Sequence, residues 1–205
     1  MSYEVHATLP DLANVEWTGA TPPPAIGAAI VATINGCGPA IVTGYFTQEG
    51  YLGVLCDLLA PPAWHVRQNK GNPRGHLFGP ECKPAETAHD VSTEFGRACF
   101  ARDWLEARER TAAAALGAVP GIGSGAMGLT PDDVKAEETY RRAKACHVAA
   151  FDRLRDFNRT FTKTFKSELA AQRAATRGAK RAAQRREFFE DVYILPEAYS
   201  PDLGI

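Results

Sequence analysis

The chain has 205 residues, of which 45% are hydrophobic and 9% aromatic, enough to bury a core as one large domain or two small ones. A formal net charge of −1 excludes a uniformly basic protein but hides a segregation. Arg159 to Arg186 holds nine Lys or Arg against one acid, Glu168, a net +8 that leaves the remainder at −9.

The N-terminus has no basic stretch leading into an apolar one, and no apolar run approaches the ~18 residues of a membrane span, which predicts a cytoplasmic protein without a membrane partner. Residues 1–24 read as an extension with a strand-like hint at Val15 to Trp17, and end in the stiff run Thr21-Pro22-Pro23-Pro24. From 25 to 84 the pattern is one of short β-rich runs: Ala28 to Ile34, Ala40 to Phe46, Tyr51 to Leu58, Trp64 to Gln68 and His76 to Phe78. Compact turns at Asn35-Gly36-Cys37-Gly38 and Gln48-Glu49-Gly50 join neighbours as hairpins, and Gly44 and Gly53 suggest bulges or sharp coiling. Five such strands predict a small, strongly bent β-barrel. Gly44-Tyr45-Phe46 through Glu49-Gly50-Tyr51 resembles, in shape alone, the small SH3-like barrels that include a plasmid-borne dihydrofolate reductase type, whose active-site strand motif is absent here.

Residues 85–192 read as helical. Asp90 is a candidate N-cap for a helix whose apolar positions run from Val91 and Phe95 through Cys99 or Phe100 to Trp104 or Leu105 and on to Leu116. The glycine-rich stretch 117–128 breaks it. Thr130 as N-cap, Pro131 at the first helical position and Asp133 two residues later predict a restart. A long amphipathic pattern follows from Val134 through Phe151, Phe157, Phe161 and Phe165 to Leu169, with a bend near Asn158, and runs into an Ala/Arg tract. Residues 193–205 form an apolar, Pro-punctuated tail suited to docking. The whole is therefore expected to be α+β: an SH3-like barrel followed by a helical region ending in a long basic amphipathic helix.

The basic segment is the leading candidate site. At about 100° per residue, Arg159, Lys163, Lys166, Arg173, Arg177, Lys180 and Arg181 share an arc of roughly 100°, with Arg185 beside them, while the Phe positions lie on other faces. Cations in series suit a phosphate backbone, and an acidic protein surface accounts for the same stripe. A second candidate is the polar loop carrying Arg67, Lys70 and Arg74. Tyr45, Phe46, Tyr51, Trp64 and His65 could provide stacking surfaces beside those cations, although a barrel of this size needs about half of such rings as core. Val119-Pro120-Gly121-Ile122-Gly123 resembles the hairpin of helix-hairpin-helix modules, where glycine amides approach a DNA phosphate.

Signs of catalysis are missing. Cys37, Cys56, Cys82, Cys99 and Cys146 are odd in number, unevenly spaced and without a CxxC pair or zinc-spaced His, which predicts buried free thiols and no metal or cofactor. His147 beside Cys146 reads as a packed histidine, because adjacent helical side chains diverge. An enzyme would need residues far apart to converge, such as His65, His76 and Cys82.

Gly128-Leu129-Thr130-Pro131-Asp132-Asp133-Val134-Lys135, followed by Ala143-Lys144, Ala150-Phe151, Leu154-Arg155, Phe157-Asn158 and Phe165-Lys166, resembles uncharacterised proteins of bacterial plasmids and integrative elements. The resemblance implies a mobile-element context and assigns no residue a role. Together these readings predict a non-enzymatic nucleic-acid-binding accessory protein. The alternative is an anti-defence, anti-CRISPR-like inhibitor or adaptor that binds a host protein or nucleoprotein complex. The Phe-rich helix face is expected to pack on the Val91-to-Leu116 helix or on a second copy of the chain.

Overall fold

The computed structural model describes residues 3–192, with side chains through residue 186. The protein is α+β. Its strands are β1 (Glu4–His6), β2 (Ala29–Ala32), β3 (Gly38–Gln48), β4 (Tyr51–Leu58), β5 (Arg74–Phe78) and β6 (Cys82–Pro84). Its helices are α1 (Ala63–Gln68), α2 (Glu94–Gly117), α3 (Asp132–Ala136), α4 (Glu138–Thr164) and α5 (Lys166–Val192). Two compact units result, Met1–Phe161 and Thr162–Ile205. No described helix is long and apolar enough to cross a membrane.

The sheet is antiparallel, in the order β5-β4-β3-β2-β6. Strand β3 is eleven residues long and serves two partners along one edge: its first half pairs with β2 (Ala32↔Gly38 to Ala29↔Ile41), its second with β1 (His6↔Tyr45 to Glu4↔Thr47). Along its other edge, β3 pairs with β4, and the register slips at Thr43 between Val42 and Gly44. A bulge of this kind bends a strand and increases its twist. Gly44 fits there because a Cβ would stand 3.2 Å from the carbonyl of His6 on β1. Gly53, the other expected irregularity, holds regular register opposite Phe46. What requires glycine there is the Phe46 ring, 2.3 Å from where a Cβ would sit.

The expected barrel is not closed. Among the described residues the terminal strands β5 and β6 do not pair with each other, and the sheet is open. The run Trp64 to Gln68, expected as a strand, is the helix α1. Pro62 stands at its N-cap in extended conformation, so a residue with no N–H to satisfy enters the first turn. Only His65 of that helix is buried, whereas Trp64 and Val66 remain partly open, the one-sided burial of a short surface helix. That leaves three residues in β6 and five in β5, too little strand to close a barrel.

One face of the sheet is filled by Ile30, Val42, Tyr45, Val54, Cys56 and Leu77, with Val15 and Trp17 packed against it. The strand-like hint at Val15 to Trp17 is a single parallel bridge in which Glu16 N–H donates to Gly50 O and Leu52 N–H to Glu16 O, both at 2.8 Å. A second core joins Ala60 after β4 to Ala101 and Leu105 of α2, flanked by Trp104, Leu154 and Phe157.

Helix α2 is capped by Thr93, whose Oγ1 accepts from Gly96 N–H at 3.0 Å. Asp90, the expected cap, instead accepts from Ser92 N–H and Oγ in a turn just upstream, which holds its carboxyl below the usual carboxylate range. The glycine-rich stretch breaks the helical run as expected: α2 ends at Gly117, a short 3-10 turn spans Ala126–Gly128, and Gly121, Gly123 and Gly128 take left-handed φ. The restart is split: Pro131, not Thr130, is the N-cap of α3, and extended Glu137 separates α3 from α4. Helix α4 continues through Asn158, where a bend was expected, and the interruption falls at Phe165. The Phe-rich face is used inside the chain, with Phe161 stacked on Phe95 of α2 at 6.1 Å and on Phe157 at 6.0 Å. Phe151 stays 48% exposed.

Arg153 of α4 ties the helices to the sheet. Its guanidinium donates to Gly36 O at 2.9 Å, to Cys37 O at 3.3 Å and to Ala60 O, and lies 5.2 Å from the Trp104 ring centroid. Burial, and then the nearby Arg108 charge, lower its pKa from the ordinary arginine value.

Candidate nucleic-acid interface

Helix α5 is built from strong helix formers: seven alanines between Leu169 and Glu187, with Arg, Lys and Gln filling most remaining positions. From Lys166 to Arg186 every residue is exposed except the half-buried Leu169. No packed face supports this stretch, so the intrinsic helix preference of its residues carries it. Gly178 has nothing within 4 Å of a notional Cβ, so it serves no close approach there.

Of the expected cations, Lys163 lies in the last turn of α4 and Lys166, Arg173, Arg177, Lys180, Arg181 and Arg185 stand on α5. At about 100° per residue the first five on α5 share an arc of roughly 100°, and Arg185 widens it to about 140°. At ~1.5 Å per residue the row from Lys166 to Arg185 is about 28 Å long. Among the described residues none of these seven cations is in an ion pair. The acid within the tract, Glu168, accepts from Ser167 Oγ at 2.7 Å, and that bond holds its carboxyl below the usual range. Upstream on α4 the situation differs: Arg155 pairs with Asp152 at 3.0 Å and Arg159 with Asp156 at 3.3 Å. Arg159, the first member of the sequence stripe, thus has an acid partner, Asp156, which it shares with Arg155.

The second set belongs to the first unit. Arg67 lies in the last turn of α1, Lys70 in the following turn and Arg74 at the start of β5, all exposed and none in an ion pair among the described residues. Their loop is shaped locally. Lys70 takes φ 50° and Gly71 φ 84°, Asn69 Nδ2 donates to His65 O at 3.1 Å, and Arg74 N–H donates to Asn72 Oδ1 at 3.0 Å. A left-handed lysine costs roughly 1 kcal/mol, which the surrounding turn bonds offset.

The aromatic set divides differently from the sequence expectation. Tyr45, Phe46 and His65 are buried, while Tyr51 and Trp64 are 44% and 37% exposed. Two rings outside that aromatic set, Tyr3 and His76, are exposed on the sheet. Their signal was hidden in pairing: β1 is three residues long without alternation, and His76 joins the group only through the register Leu55↔His76.

The scattered catalytic candidates do not assemble. His76 and Cys82 are on opposite faces of the sheet, and His65 sits in α1. Burial pushes the Cys56 thiol up to about 12 and the Cys82 thiol up to about 11, so both are neutral and poor nucleophiles. Cys146 is the exposed thiol, and its neighbour His147 is engaged by Glu109 of α2 through Nε2 at 3.2 Å. Among the described residues no three of His, Cys, Asp or Glu converge as metal ligands would. In the hairpin-like segment, Gly121 faces Val134, whose Cγ2 would lie 2.7 Å from a Cβ, and α3 begins only at Asp132. No protein-family model, no curated protein and no solved structure matches the chain.

Proposed function

We propose that the protein is a non-enzymatic nucleic-acid-binding accessory protein, in the mobile-element context that the resemblance of its C-terminal third implies, and that α5 contacts phosphates in series. The observation that carries this reading is the row Lys166, Arg173, Arg177, Lys180, Arg181 and Arg185 on an exposed helix, with no acid paired to any of them among the described residues. Cations already paired would gain little from a phosphate. Unpaired cations in a row release counterions from the nucleic acid as they bind, which makes affinity strongly salt-dependent.

The test is a titration of labelled duplex and single-stranded nucleic acid with the full chain across a salt series. Arg177→Glu with Arg181→Glu is expected to weaken binding ~100-fold at low salt and to flatten the salt dependence by about one unit of log–log slope per lost phosphate contact. Unchanged affinity in that variant sinks the reading. A pull-down split into nuclease-treated and untreated halves then separates the alternative. A partner retained after nuclease, and lost in the same variant, assigns the stripe to an acidic protein surface, as an anti-defence inhibitor or adaptor would use it.

A further inference from the structure

The strand register sorts the side chains of the sheet, and the face turned away from the main core carries its own aromatic group. Phe46 pairs with Val5 on one side and Gly53 on the other, Gly53 with Phe78, and Leu55 with His76. Phe46, 2% exposed, is the floor. Tyr3, His76 and Phe78 meet it edge to face at 5.8, 5.3 and 5.2 Å, and Tyr3 meets His76 at 4.9 Å. Edge-to-face contact fixes a ring's orientation without covering both of its π-faces. Tyr3 remains 49% exposed, Val5 59% and the nearby Tyr51 44%.

Cations flank this group on its β5 side. Arg74 shares the face with His76, two residues earlier on β5 and so ~7 Å away along the strand. Lys70 and Arg67 continue the cationic side into the preceding turn and α1. Glu4 and Glu49 line a shallow groove of about 310 Å³ beside Tyr3, and the half-buried Asp57 is the cross-strand partner of Arg74, with no ion pair between them. Burial, and secondarily the Arg74 charge, lower the His76 pKa from its ordinary value, so near neutral pH the ring is an uncharged aromatic surface.

We propose that this face binds single-stranded nucleic acid, with unpaired bases stacking on Tyr3 and His76 and the backbone running past Arg74 toward Lys70 and Arg67. The inference rests on the nucleic-acid reading above and adds its substrate class. Exposed π-faces beside cations suit unstacked bases, whereas a duplex keeps its base faces covered.

The experiment uses the full chain with three probes: a 12-nucleotide oligo-dT, an oligo-rU of equal length and a blunt 20-base-pair duplex. Tyr3→Ala with His76→Ala is expected to weaken both oligonucleotides about tenfold or more and to leave the duplex unchanged. Tyr51→Ala, on the same face but outside the edge-to-face group, serves as a second variant if the double variant unfolds. It is expected to weaken the oligonucleotides and spare the duplex. Ultraviolet cross-linking is expected to place oligonucleotide on peptides containing Tyr3 or residues 74–78. Equal losses on oligonucleotide and duplex, no loss on either, or cross-links confined to α5 overturn the proposal. So does a dimer in sedimentation that the ring variant dissociates without altering oligonucleotide affinity, since that gives the face to a second copy. Arg177→Glu with Arg181→Glu is run in parallel. If it changes nothing, the stripe reading fails alone, and the ring variants still decide this face.

Discussion

Arg153 and Arg177 are the same residue on two long helices, and they stand in opposite surroundings. Arg153 is half-buried against three backbone carbonyls and the Trp104 ring. Arg177 is exposed on α5 with no acid paired to it among the described residues. The first spends its charge on the fold, while the second keeps it available for a partner. The contrast extends to the regions around them: the sheet and its helices are held by tertiary contacts, α5 by local preference. A count of cations does not distinguish the two uses; burial and hydrogen-bond partners do.

The largest effect expected from this comparison is on Arg153. Arg153→Met keeps an unbranched apolar stem and removes every donor, leaving the carbonyls of Gly36, Cys37 and Ala60 without that partner, and should cost about 3 kcal/mol. Arg177→Met should change stability by no more than about 0.5 kcal/mol. Urea midpoints for the two variants check this directly, and equal midpoints would erase the distinction.

A smaller effect should separate the regions by pH. The thiols of Cys56 and Cys82 ionise in the folded state only near 12 and 11, against 9.0 as the unperturbed value. Above pH 9 the unfolded chain therefore binds fewer protons than the folded one, so stability falls as pH rises. For Cys56 the slope is up to about 1.4 kcal/mol per pH unit. Below pH 8 these thiols contribute no slope. Denaturation midpoints measured from pH 7 to 10.5 should decline only in the alkaline half, and less so for Cys56→Ala relative to its own midpoint at pH 7.

The smallest effect belongs to α5. Gly178 meets nothing within 4 Å, so Gly178→Ala should stabilise that helix by about 1 kcal/mol. Hydrogen exchange of amides near residue 178 should slow, with the urea midpoint of the sheet unit unchanged. Faster exchange at those amides would mean that the glycine has a role in α5 that its surroundings do not reveal.

Much of the architecture was legible locally. The span Tyr51 to Leu58 alternates with a period of two and is β4 to the residue, because its apolar positions Leu52, Val54, Cys56 and Leu58 all enter one core. The bulge at Gly44, the glycine-rich break and the burial of four of the five thiols follow from residue type in the same way. Other features were not legible, because they depend on competition between neighbours or on distant partners. Asp90 and Thr93 are both good caps, and only the turn made by Ser92 decides that Thr93 takes the helix. Trp64 to Gln68 alternates as a strand would, yet Pro62 and the single buried His65 make it a helix. The cations were visible in the sequence, but not that, among the described residues, Arg159 is in an ion pair and the cations from Lys166 to Arg185 are not.

The sequence by itself determined the class, the β-rich first half, the helical second half and the clustering of positive charge, since each follows from local period and composition. Tertiary structure alone decided that the sheet stays open, that Arg153 is a structural clamp, and that Tyr3 and His76 share a face with Arg74. Those outcomes depend on strand register and on contacts between residues about seventy to more than a hundred positions apart. Pairing of that range leaves no period in the chain, because a partner's identity is set by which surfaces meet once the backbone has folded.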